Sequence, residues 1–558
     1  MVSSITLGNF FTQNGRTVLG GVGGSGLDTE SLINGLVEAK RIPAKNLEDK
    51  ITINDKRSAA LGELKSLLSK LKDTTSFLRN PQGVANAADN AFKYTSATLA
   101  SNTSIPASSY LSVTSAAGAS TQSYTINEIS SIAKAKKQAS DNFAIASPDT
   151  SVVDVTASAN RFGTGTFVVN GKTITLATGD SLNTVVGKFN AVSDDTGITA
   201  NIVQVSSGQY SITFSATATG LDADFDLESA GTVTSDPSGV LSGIAFGTTQ
   251  IASNAVFKID AVEITRQSNA ISDVISGLTF NLIAKTTTAV DPTELSVDIA
   301  PDTSAAKNGI INFVNAYNDL RIFFANQTKL NDDGTYSEDA VLAQDSTFRS
   351  ILNKASASVG TIVSGIASGS NKLSDLGITF TDVPESTENP LIRNILNVDE
   401  AKLTSALATN YNATRKVFEF TSSSDNTNLV VYSHTNALTV SNFTLSINTG
   451  TSTYEANYLD SGGAPQTATL QGTLFGDGTG YTLAGASGTP FDGLVLLYAS
   501  TSNATINVTA TRGIADQLFA DLDAALDETT GALTFDAQGV TDASARYSKA
   551  SKRLMRNL

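Results

Sequence analysis

Residues 20–26 read GGVGGSG, and Gly21, Gly23 and Gly26 fit the G-x-G-x-x-G spacing of a dinucleotide-binding turn. Such a turn needs an acidic residue about 20 positions on, at the end of a second strand, to hold the ribose hydroxyls. Glu48 and Asp49 stand at that distance, but inside a run of heptad-spaced leucines, so no βαβ unit can be drawn. The glycines instead read as a joint, hinged at Gly21, Gly23 and Gly24, ahead of a helix capped by Asp28. A second candidate, KLNDDGTYSED, suggests a calcium loop. Aligning Gly334 to the loop glycine puts Lys329 at the first ligand position and Ala340 where a bidentate glutamate is needed, so a turn leading into a helix is expected. His434 is the only histidine. A relay built on it would want a G-x-S-x-G elbow, which the chain lacks, and a structural or solvent-facing role is expected. Without cysteine there are no disulfides and no thiolate metal sites. No catalytic residue, cofactor-binding residue or metal ligand is assigned.

The wider composition points away from chemistry as well. The 558 residues carry 37 basic and 53 acidic side chains, a net charge of −16, which disfavours a nucleic-acid partner. Charged residues make up 16%, against roughly 25% in an average globular chain. Ser, Thr, Asn, Ala and Gly fill the difference, as suits β-rich domains with neutral polar surfaces. No apolar run approaches the roughly 20 residues that span a bilayer. The first 30 residues lack a basic segment followed by an apolar core, so export, if it occurs, is expected without a cleaved signal.

Positioning elements follow from periodicity. Leu32, Ile33, Leu36 and Val37 form one helical stripe, and Pro43 is expected to break it. Leu61, Leu64, Leu68, Leu71 and Leu78, with Thr75 between, step by three and four, and the register extends back to Leu47 and Asn54. Beyond Pro81, runs such as YLSVTS, SYTINEI and YSITFSA alternate apolar with polar. Asn170-Gly171 sits between two such runs, a strong hairpin signal. DSLNTVVGKFNAV interrupts them as a helix. Helical spacing returns with Ile310, Phe313, Val314, Tyr317 and Leu320, then around 338–359 and 399–420; residues 430–510 are again strand-like. IADQLFADLDAAL is helical. A last heptad run carries Val540, Tyr547 and Leu554, flanked by Arg546, Lys549, Lys552, Arg553 and Arg556.

The expected fold class is α+β and multidomain: a terminal coiled-coil leg plus a helical bundle, with β-rich head domains inserted between them. Its divisions are a flexible segment at 1–26, a helical leg at 27–80, a β-rich head at 81–300 with an inner insert near 150–250, a helical leg domain at 301–425, a β-rich insertion at 426–510, and a helical coil at 511–558. Heptads at both ends of the chain can pair as a stalk, with Leu47, Asn54, Leu61, Leu64, Leu68, Leu71, Leu78, Val540, Tyr547 and Leu554 as its assembly seam.

Several stretches resemble one family. GSGLDTESLINGLVEAKRIPAKNLEDKI, followed by the leucine heptads, resembles the start of the bacterial flagellar filament cap family, FliD, also called hook-associated protein 2. Residues 254–285 resemble its most recognisable block, in which Arg266, Ser268, Asn269, Ile271, Asp273, Val274, Ile275 and Gly277 match. FVNAYNDL and LSDLGITF resemble later family segments, and residues 165–203 resemble an insert shared by flagellin-related proteins. Ala261 departs from the family's usual glycine after Asp260; residues 430–510 match no common family core; the coil stops at Leu558, where relatives often continue.

The resemblance implies a structural, non-enzymatic protein without cofactors, secreted by the flagellar type III pathway to the filament tip. There, about five copies would form a cap that promotes folding and insertion of exported flagellin and prevents its loss. Implied partners are further copies of the chain, flagellin, the hook-associated junction proteins and an export chaperone, with no nucleic acid and no membrane insertion. A hook–filament junction protein and a secreted, flagellum-associated adhesin with a glycan-binding head are the alternatives.

Overall fold

Between Thr29 and Leu78 the chain forms one 50-residue helix, α1, roughly 75 Å long at 1.5 Å per residue. Leu and Lys, both strong helix formers, make up much of its second half. Pro43 lies within α1 and does not break it, contrary to expectation. A proline removes one amide donor and frees the carbonyl four residues back. Here both Pro43 and Ala39 are exposed, so water can take that carbonyl and the helix runs on.

The computed structural model describes residues 10–13, 16–19, 29–80, 89–227, 234–286, 293–386, 390–435 and 437–556. The proposed hinge at Gly21, Gly23 and Gly24, and the cap at Asp28, lie outside them. Ahead of α1, Phe10–Gln13 and Arg16–Leu19 pair antiparallel, within the stretch expected to be flexible. Asn14-Gly15 between them in sequence is a hairpin signal of the same kind as Asn170-Gly171. The chain divides into two compact units, Met1–Asn90 with Ala306–Leu558, and Ala91–Ala305.

In the Ala91–Ala305 unit the first and last strands, Thr95–Ser101 and Leu295–Pro301, lie side by side in full antiparallel register. They belong to a five-stranded sheet in the order Val262–Arg266, Ala255–Ile259, Ser123–Ser131, Leu295–Pro301, Thr95–Ser101. With a three-stranded sheet this encloses one core, in which Phe257 and Phe280 stand 6.3 Å apart. A separate core gathers Phe143, Phe162, Phe167, Phe189, Phe214 and Phe246. Phe189 comes from α2 (Leu182–Asn190), whose N-cap Ser181 accepts from the Thr184 amide; the one-turn α3 (Ser193–Thr196) follows. Asn170 and Gly171 turn the hairpin between Gly165–Val169 and Lys172–Leu176 with φ of 46° and 77°, the left-handed pair such a turn requires.

The other unit continues with α4 (Thr303–Gln327), which buries Ile310, Phe313, Val314, Tyr317 and Leu320. Next, α5 (Ser346–Val359) starts later than the spacing around 338–359 predicts, because Asp345 caps it by accepting from the Phe348 amide at 3.0 Å. A hairpin of Ile378–Val383 and Ile392–Val398 had no clear alternation to announce it. The helical stretch expected around 399–420 is two helices, α6 (Glu400–Thr409) and α7 (Tyr411–Phe418), parted at Asn410, whose backbone leaves the helical region.

Eight strands follow in the order Phe420–Ser424, Ala504–Arg512, Asn442–Asn448, Thr453–Leu459, Pro465–Leu474, Tyr481–Gly485, Val495–Tyr498, Leu429–Ser433. The first and last of this order are joined directly by residues 425–428, so the sheet curls around one apolar core. The chain ends in α8 (Ile514–Leu526) and α9 (Ala532–Arg556).

Candidate functional site: the helical leg

α1 packs along α8 and α9 and runs antiparallel to them. The register is marked from end to end: Arg79 lies over the Phe519 ring at 4.0 Å, and Lys72 meets Asp523 at 2.6 Å. Arg57 faces Asp536 at 3.7 Å, Lys50 sits over Tyr547 at 5.5 Å, and the Ser551 hydroxyl donates to Glu48 at 3.3 Å. Both ends of the chain therefore build one leg.

Of the expected seam, Leu61, Leu64, Leu68, Leu71 and Leu78 are buried, as is Thr75, whose hydroxyl donates to the Leu71 carbonyl. Leu47 and Asn54 are only half-buried, and the Asn54 Nδ2 is enclosed without a partner. On the facing side Val540 is buried and Tyr547 half-buried, but Leu554 is 38% exposed, and Ser551 takes the inward position. A strict seven-residue step drifts on a straight helix of 3.6 residues per turn, which carries Leu554 off the contact line. The seam side chains pack within one chain. At the other end, beyond the Glu48–Ser551 contact, Ile33, Leu36 and Ile42 are 60%, 57% and 54% exposed.

Charges fasten the leg to the rest of its unit. Lys70 meets Asp319 of α4 at 2.7 Å, and Arg57 meets Asp345 at the head of α5 at 2.7 Å. The densest network is buried where α8 meets the strand-rich block. Asp516 accepts from His434 Nε2 at 2.9 Å and from Arg512 Nε at 3.1 Å, with Arg79 at 3.7 Å. Burial pushes the Asp516 carboxyl up, but the His434 hydrogen bond and the charges of His434, Arg512 and Arg79 outweigh it, and the net shift is downward. His434 stacks on Phe420 at 3.7 Å, and its Nδ1 has no partner. His434 is thus a buried tie between the strand-rich block and α8. Nearby, Asn90 donates to Glu419 at 2.8 Å, and Arg415 meets Glu419 at 3.2 Å. The spacing of four in Arg512/Asp516 and in Arg415/Glu419 is the local signal for these contacts; the partners His434, Arg79 and Asn90 lie dozens to hundreds of residues away.

The block resembling the family holds its own unit together. Arg266 Nε reaches both carboxylate oxygens of Asp273, at 3.1 and 2.9 Å, on the surface. The Asn269 side chain imitates a backbone pair, accepting from the Ala133 amide at 2.7 Å and donating to its carbonyl at 2.9 Å. Gly277 has φ of 80°, and a Cβ there would stand 3.0 Å from Ala119 Cβ. Asp260 and Ala261 keep a left-handed turn, with φ of 49° and 67°, despite the alanine. Asp260 accepts from the Thr125 amide at 2.8 Å and Asn127 from the Ala261 amide at 2.6 Å, and these clamps hold the strained residue in place.

Nothing among the described residues gathers three His, Cys, Asp or Glu side chains for a metal, and no described helix is long and apolar enough to cross a membrane. A groove of about 1150 Å³ crosses the strand-rich block. Its amides bond within the wall: Asn442 with Thr509, Asn457 with Thr467, Asn507 with Thr444.

Sequence profiles of two parts of one family match the chain: Flagellar hook-associated protein 2 N-terminus at residues 25–136, and Flagellar hook-associated protein 2 C-terminus at residues 252–558. The chain is 27% identical over 379 residues to the A-type flagellar hook-associated protein 2 of Pseudomonas aeruginosa, covering 64% of this chain and 73% of the relative. It is 30% identical over 236 residues to the flagellar hook-associated protein 2 of Salmonella typhimurium, covering 41% and 47%. Among solved structures it is similar to the D1-D2-D3 domains of the flagellar cap protein FliD from Escherichia coli, with 21% identity and a TM-score of 0.47, over 86% of this chain and 99% of that one.

Proposed function

Because the chain belongs to the flagellar hook-associated protein 2 family, we propose that it is a structural cap at the distal end of the bacterial flagellar filament. In this reading it leaves the cell through the flagellar type III pathway, without a cleaved signal. About five copies then assemble at the tip, in contact with flagellin and at first with the hook-associated junction proteins. The cap shelters emerging flagellin while it folds and inserts, and prevents its escape. Binding energy and shape carry this role, with no step of covalent chemistry.

One observation supports the reading above the rest. The leg is complete within one chain along its leucine seam, yet its free end presents Ile33, Leu36 and Ile42 to solvent. Ile33 and Leu36, three positions apart, lie on one face, and exposed apolar residues of that kind mark a surface kept for a partner. An unfolded passenger also gains from having no cysteine to cross-link on the way out.

The test is genetic. Deleting the gene in its flagellated host should leave short or missing filaments and flagellin monomer in the medium. Complementation with the Ile33→Asp, Leu36→Asp double variant should restore neither, while the purified variant keeps the wild-type melting temperature. Normal filaments in the deletion strain would overturn the reading.

A further inference from the structure

The Arg57 contact differs from the other ties of the leg, because two carboxylates meet one guanidinium. Arg57 Nη2 lies 2.7 Å from Asp345 Oδ2 but 3.7 Å from Asp536 Oδ1. Asp345 also accepts from the Phe348 amide at 3.0 Å, as the cap of α5. Asp536 is left with the poorer share: its Oδ2 is enclosed without a partner, as is Arg57 Nε. The two carboxylates thus converge on one guanidinium, which brings together α1, α9 and the cap of α5.

We propose that Arg57, Asp345 and Asp536 form a proton-operated clasp, in which a proton held by Asp536 and donated to Asp345 closes α9 onto α1 and α5, and its loss loosens α9. With the proton in place, the three groups sum to no net charge and Asp536 gains the partner it lacks. Without it, two carboxylates share one arginine across a partly buried gap.

The surrounding charges leave this balance to the three groups. On α1 the neighbouring Lys56 is held by Asp339 at 3.0 Å. On α8, Asp523 is paired with Lys72 and Asp521 accepts from Ser358. On α9 itself, Asp542 accepts from Gln538. Arg349 and Lys354, farther along α5, border a surface groove.

Burial, then the hydrogen bond and charge of Asp345, push the Asp536 carboxyl up to about 6, with Arg57 opposing. Asp345 is displaced the other way, below the usual carboxylate range: burial raises it, but its hydrogen bonds with Asp536 and the Phe348 amide and the Arg57 charge prevail. The signs follow by linkage. Between the ordinary carboxylate value near 4 and about 6, the folded leg binds more protons through Asp536 than the unfolded chain does, so this contribution is lost as pH rises through 6. Asp345 contributes in the opposite sense, and its share is lost as pH falls below about 4.

Hydrogen exchange on the full chain, corrected for intrinsic rates, tests the clasp between pH 5 and 7.5. Protection of α9 amides should fall by about tenfold across that range while α8 amides stay level. Asp536→Asn should hold α9 protected and flat with pH, and Arg57→Gln should move the transition to higher pH. Flat protection of α9 in the wild type, an unchanged slope in Asp536→Asn, or an unshifted transition in Arg57→Gln would each overturn the proposal. Should a variant fail to fold, the wild-type slope of α9 measured against α8 decides alone.

Discussion

The two halves of α1 share a heptad pattern but not a fate. From Ala60 to Leu78 the seam leucines are sealed, because α8 and α9 cover one side and the α4 and α5 region supplies charged ties to the other. From Ile33 to Asn54 the helix meets the last turns of α9, where Tyr547 and Ser551 face it in place of Leu533 and Val540. Leu47 and Asn54 are consequently half-buried, and Ile33, Leu36 and Ile42 face solvent. Periodicity tells which face of a helix is apolar. It does not tell how much partner there is to bury that face.

The sharpest way to break this contrast is at the sealed end. Asp516→Ala would leave Arg512, Arg79 and His434 buried around a missing anion, at a cost of about 3–5 kcal/mol. The denaturant midpoint of the leg should drop accordingly, while that of the Ala91–Ala305 unit stays put. Next in size, Leu68→Ala should lose about 2–5 kcal/mol, and Leu47→Ala less than about 1 kcal/mol. Equal losses from chemical denaturation of the two variants would erase the difference between the halves. Asn54→Leu replaces an enclosed amide that has no partner for its Nδ2 and should gain about 1 kcal/mol, narrowing the contrast from the weaker side. Smallest of all, Ala261→Gly relieves a left-handed alanine and should stabilise the Ala91–Ala305 unit by roughly 0.5–1 kcal/mol, seen as a raised melting temperature. No change at Ala261 would mean that the Thr125 and Asn127 clamps bear the whole strain.

Local signals were the legible ones. The α4 face, the Asn170-Gly171 hairpin and the leucine seam each depend on residues within a few positions of one another. Pro43 misled because its effect depends on whether the freed carbonyl can reach water, which is a matter of tertiary exposure. Leu554 misled because seven-residue spacing and helical geometry part company over about four turns. The His434–Asp516 tie was invisible for a different reason. His434 and Asp516 are 82 positions apart, and nothing in either neighbourhood names the other. Arg266, Asn269, Asp273 and Gly277 stood out by resemblance, but their work as a surface ion pair, a mock backbone bridge and a tight approach needed coordinates to see.

The strand pairs that begin and end each inserted block carry a consequence for how such a molecule can change. Thr95–Ser101 lies against Leu295–Pro301, and Phe420–Ser424 against Ala504–Arg512. The first and last strands of each block are hydrogen-bonded neighbours, so its interior can grow, shrink or be exchanged while its two ends stay the same distance apart. Such blocks behave as cassettes held at a fixed gate: the leg can remain constant while what the chain displays is rewritten.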